Sequence, residues 1–76
     1  MTLFNKKNIK PALYFSLNRR LEQARARNES SFYYALREDE VDKAMAWGAH
    51  NKVGIKPDHI TDNIIYYKFF GYTLDN

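Results

Sequence analysis

Apolar positions near the start of the chain recur at helical spacing. Leu13, Tyr14, Leu17, Leu21 and Ala24 fall within about 100° at 3.6 residues per turn, the width of a core-facing stripe. They predict a helix from Pro11 to Arg27, because proline suits a first helical turn and Asn28 suits a helix end. Phe15 falls on the opposite side of that wheel, beside Arg19 and Glu22. The competing pattern is a strand over Ala12 to Leu17, with Leu13, Phe15 and Leu17 on one side. The polar run from Asn18 to Arg27 is poor strand sequence and favours the helix.

Asn28-Glu29-Ser30-Ser31 reads as a turn, and Phe32 to Leu36 has the composition and length of a strand. A second helix follows, with Asp39 as N-cap, Asp42 three residues on, and acids where the helix dipole favours negative charge. Its expected buried stripe is Val41, Ala44, Met45, Gly48 and Ala49, with Trp47 at the margin and an end near His50 or Asn51. Val53 to Ile55 suggests a short strand, and Pro57-Asp58 and Asp62-Asn63 suggest turns. Ile64 to Leu74 is the strongest strand pattern. Ile65, Tyr67 and Phe69 share one face, and Ile64, Tyr66, Lys68, Phe70 and Tyr72 the other. Both sets are rich in apolar residues, and Lys68 marks its own as the outer one. The expected architecture is α+β: two helices packed on a small antiparallel or mixed β-sheet, in the order helix-strand-helix-strand.

Length restricts this pattern to one body. At 76 residues the chain supports one hydrophobic core, so residues 1–76 are read as a single domain, with residues 1–9 a flexible polar lead whose Leu3, Phe4 and Ile9 can dock. A domain of this size buries only roughly 60% of its unfolded surface. Six Tyr, five Phe and one Trp supply large buried areas and exceed what so small a core hides, leaving aromatic surface for a partner. Cysteine is absent, which excludes disulfides, thiolate metal sites and a catalytic thiol. No run approaches the roughly 18 apolar residues of a membrane span, and Met1 to Lys10 lacks the apolar stretch of a secretion signal. The expected compartment is the cytoplasm, with no membrane partner.

Charge divides the chain. Residues 1–37 carry a net charge of +6 and residues 38–76 one of −3. The acids at 38–42 have a local explanation as a helix cap; the basic residues have none.

Candidate chemistry is sparse. His50 and His59 are the two histidines, and neither lies in a catalytic pattern. Ser16, Ser30 and Ser31 lack a nucleophile-elbow context. Asp58, His59 and Asp62 lack a second soft ligand at metal spacing, and Glu38, Asp39, Glu40 and Asp42 lack the alternation and central glycine of a calcium loop. Gly48, Gly54 and Gly71 are isolated, so no phosphate-cradling loop is present. The expectation is a non-enzymatic chain with no cofactor and no metal site.

Two partner classes remain. A protein-binding surface is expected on Tyr66, Lys68, Phe70 and Tyr72 with Phe15, engaging another protein or a second copy in a homodimer. The alternative is a nucleic-acid surface on Arg19, Arg20, Arg25 and Arg27 with Lys6, Lys7 and Lys10, neutralising phosphates. A helix-turn-helix arrangement is disfavoured, because Asp39, Glu40 and Asp42 would face phosphate. In size and composition, with no residue motif, the chain resembles stand-alone accessory proteins of phages and mobile elements. Some of these inhibit host enzymes by occluding a surface.

Overall fold

Helix α1 spans Ala12–Ala26 and turns Leu17, Leu21 and Ala24 inward, with Leu13 and Tyr14 packed at the edge of the core. The computed structural model describes residues 12–75; the lead expected at 1–9 and the cations Lys6, Lys7 and Lys10 lie outside them. Residues 12–17 are helical, so the competing strand is excluded, and Phe15 stands on the solvent side of α1 at 76% exposure. Asn28 ends the helix in the left-handed region at φ 62°. Its N–H reaches the Arg25 carbonyl at 3.2 Å, and the Glu29 N–H reaches that of Ala24 at 2.9 Å. These two bonds satisfy carbonyls that a helix end would otherwise leave unpaired.

Strand β1, Ser31–Ala35, leads through a short 3-10 turn, Glu38–Glu40, into helix α2, Val41–Asn51. The turn displaces the expected cap. Glu40 Oε1 accepts the Arg37 N–H at 2.9 Å, whereas Asp39 holds the Arg37 Nε at 3.2 Å. That hydrogen bond, with the charges of Glu40 and Asp39, holds the Arg37 guanidinium above its ordinary pKa.

The buried face of α2 is Ala44, Trp47 and Gly48, so Trp47 belongs to the core while Met45 and Ala49 are exposed. Trp47 is pulled inward by its indole N–H, which donates to Asn18 Oδ1 at 2.8 Å and ties the two helices together. Gly48 is required by proximity: a Cβ there would stand 2.7 Å from the Val53 carbonyl oxygen and 2.8 Å from Ile55 Cδ1. Lys52 leaves the helix with φ 61°.

Strand β2, Gly54–Thr61, and strand β3, Ile64–Phe70, form a hairpin closed by Asp62 and Asn63. Both turn residues have positive φ, 53° and 65°, as a two-residue turn of the mirror-image type requires. The Asp62-Asn63 turn therefore falls where expected, but Pro57-Asp58 lies inside β2. Proline is tolerated there because β2 is an edge strand. The sheet order is β1-β3-β2 with β3 antiparallel to both neighbours, so β1 and β2 run parallel and α2 crosses between them.

The architecture is thus a small α+β domain with two helices packed on one face of a three-stranded antiparallel sheet. Its smallest dimension, 19 Å, is that of two layers. Phe69 is fully buried at the centre, stacked on Phe32 at 4.8 Å and edge-on to Trp47 at 6.1 Å. Among the described residues, no helix is long and apolar enough to cross a membrane.

Candidate binding face

Side chains on a strand alternate between faces, so burying Tyr67 and Phe69 sends Ile64, Tyr66, Lys68 and Phe70 to the other side of β3. Register places their neighbours. Lys68 lies opposite Tyr33 on β1 and opposite Lys56 on β2, and Phe70 lies opposite Ser31 and Gly54.

A bulge completes the face. Pro57 pairs with Tyr67 and His59 with Tyr66, so Asp58 is an extra residue on β2. The bulge turns His59 to the same side as Lys56, three positions away. The His59 and Tyr66 rings stack at 4.9 Å and 9° between planes, and Tyr33 meets His59 edge-on at 5.6 Å. His59 Nδ1 sits 2.7 Å from Asp58 Oδ2. No third carboxylate or imidazole joins that pair in a metal-holding group among the described residues.

The other end of the face is set by Phe70. Its ring lies where a side chain on Gly54 would be, 2.7 Å from an ideal Cβ. The Lys56 ammonium lies over that ring, 5.4 Å from its centroid. Along β3 the face thus reads ring, cation, ring, with a second cation beside the first.

Two of the five residues expected to form one protein-binding surface are elsewhere. Gly71, at φ 82°, breaks the strand alternation and sends Tyr72 to the helix side. There Tyr72 packs 5.9 Å from Phe32 and donates its hydroxyl to the Glu29 carbonyl at 2.6 Å. Phe15 lies on α1, in the layer opposite the face, where it lines a 400 Å³ depression with Ser16, Asn18, Arg19 and Glu22. Among the described residues this depression is walled by α1 alone.

The expected arginine surface is also divided. Arg20 lies over the Phe32 ring at 4.8 Å and pairs with Glu29 at 3.5 Å, while Arg25 pairs with Asp75 at 3.4 Å. Both hold the chain to itself, whereas Arg19 and Arg27 are exposed.

Comparison with family models, curated proteins and solved structures finds no match.

Tyr33, Lys56 and His59 were absent from the expected surface. Tyr33 was legible as the solvent-facing middle of a strand whose Phe32 is buried. Lys56 and His59 were not, because Pro57-Asp58 resembles a turn unless β2 is known to be an edge strand.

Proposed function

We propose that this chain is a binding module without catalytic chemistry of its own, which engages another macromolecule across the open face of its sheet. The observation supporting this reading is the concentration of Tyr33, Lys56, His59, Tyr66, Lys68 and Phe70 on the side of the sheet away from both helices. Aromatic rings offer large contact areas at low conformational cost. The sheet holds their backbones rigidly, so little ordering is needed on binding. A partner lying on this face is masked over the area it covers, which is how an accessory protein inhibits by occlusion.

Tyr33→Ala with Tyr66→Ala tests the reading. Phe70 is kept, since its ring shields Gly54. The double variant should retain the circular dichroism and cooperative melting of the parent while losing capture of the parent's partners from extract, with and without nuclease. Capture of the same partners at the same level by a folded double variant would remove the sheet face as the site.

A further inference from the structure

We propose that the occupant of the open face is single-stranded nucleic acid, with phosphates at Lys56 and Lys68 and bases against the rings of Tyr66, Tyr33 and Phe70. This rests on the reading of the sheet face as the binding surface. The first observation is a pair of like charges without a carboxylate partner among the described residues, the Lys56 ammonium resting only over the Phe70 ring. Lys56 and Lys68 are direct partners across β2 and β3 and share one face. Like charges so placed are destabilising. Among the described residues, no carboxylate forms an ion pair with either. An anion lying between them relieves the repulsion.

The second observation is the arrangement of rings around the cations. Tyr66 and Phe70 are four residues apart on one strand, about 13 Å at the usual rise, with Lys68 midway. Tyr33 lies across from Lys68 on β1, and His59 is stacked on Tyr66. Bases stack on aromatic faces regardless of sequence, while a positively charged track follows the backbone. Paired bases cannot present their faces in this way, so the geometry selects an unpaired strand.

A protein partner fits the centre of the face less well. Interface cores are depleted in charge and in lysine particularly, and here a lysine pair occupies the middle. The helix arginines do not supply a better track, since Arg20 and Arg25 are engaged with Glu29 and Asp75.

The test is fluorescence anisotropy of the whole chain with labelled mixed-sequence 12-mers of single-stranded DNA and RNA and with a DNA duplex. Single strands should bind more tightly than duplex. Affinity should fall about seven-fold between 50 and 200 mM salt, as expected for two phosphates neutralised on a single strand. Lys56→Glu with Lys68→Glu should abolish binding. Lys56→Gln with Lys68→Gln, which introduces no repulsion, should remove most of the salt dependence. Tyr66→Ala should weaken binding about ten-fold.

No binding at 50 mM salt overturns the proposal. So does binding unchanged in both lysine variants, or tighter binding to duplex. If single strands fail to bind while Tyr33→Ala with Tyr66→Ala still abolishes nuclease-resistant capture of a protein, the face is a protein surface and only this inference falls. Failure of both experiments removes the face itself.

Discussion

Tyr72 fastens the end of the chain to the start of the sheet through one hydroxyl. Its bond to the Glu29 carbonyl and its packing beside Phe32 place the phenol in a half-buried site. Burial, then the Glu29 charge, raise its pKa, with Arg20 opposing. A raised phenol pKa favours the protonated folded chain, so this contribution is complete below the ordinary value of about 10 and is lost as pH rises through the raised one. Tyr72→Phe should cost about 1 kcal/mol near neutral pH and flatten the alkaline loss of stability, measured by melting at pH 8 and pH 11. At Gly48 two effects compete. Alanine normally gains about 1 kcal/mol over glycine inside a helix, but its Cβ would press into the Val53 carbonyl oxygen at 2.7 Å. That atom is backbone and cannot swing aside, so the clash wins. Gly48→Ala should lower stability by about 1–3 kcal/mol, seen as a fall in denaturant midpoint.

At the scale of elements, the hairpin depends on a turn whose residues both adopt positive φ. Asn63 tolerates that region and glycine tolerates it better. Asn63→Gly should therefore raise the thermal midpoint by a few degrees without altering the sheet. The elements themselves were largely legible. The Leu17, Leu21 and Ala24 spacing gave α1, and the run from Ile64 to Leu74 gave β3 with its inner and outer faces, although the strand itself stops at Phe70. The misreadings share a cause, which is that tertiary partners decide what local pattern leaves open. Trp47 is drawn inward by Asn18, 29 residues away in sequence. Pro57 sits in a strand because that strand has a free edge. Tyr72 leaves its expected face because Gly71 turns the chain. The candidate face was half legible for the same reason: Tyr66, Lys68 and Phe70 follow from one strand's alternation, but Lys56, His59 and Tyr33 join them only through register.

Across the whole molecule, order should decline from the sheet centre toward the hairpin end. Tyr67 and Phe69 are buried beneath both helices, whereas Ile60, Ile64 and Ile65 stand 68%, 44% and 38% exposed. Hydrogen exchange should be slowest at Tyr67 to Phe69 and fastest in the hairpin around Thr61 to Ile64. Equal protection along the hairpin would mean that a second body covers its end. The bulge at Asp58 makes the count of residues in β2 even where pairing with the seven residues of β3 demands odd, and so stores the parity of the hairpin in one unpaired position. Deleting Asp58 leaves Lys56 against Lys68, His59 against Tyr66 and Ile60 against Ile65. Deleting Ile60 instead would close the same turn with Asp58 against Tyr66 and His59 on the far side. One lost codon would keep every pairing of the face at the first position and would place an acid among the lysines at the second.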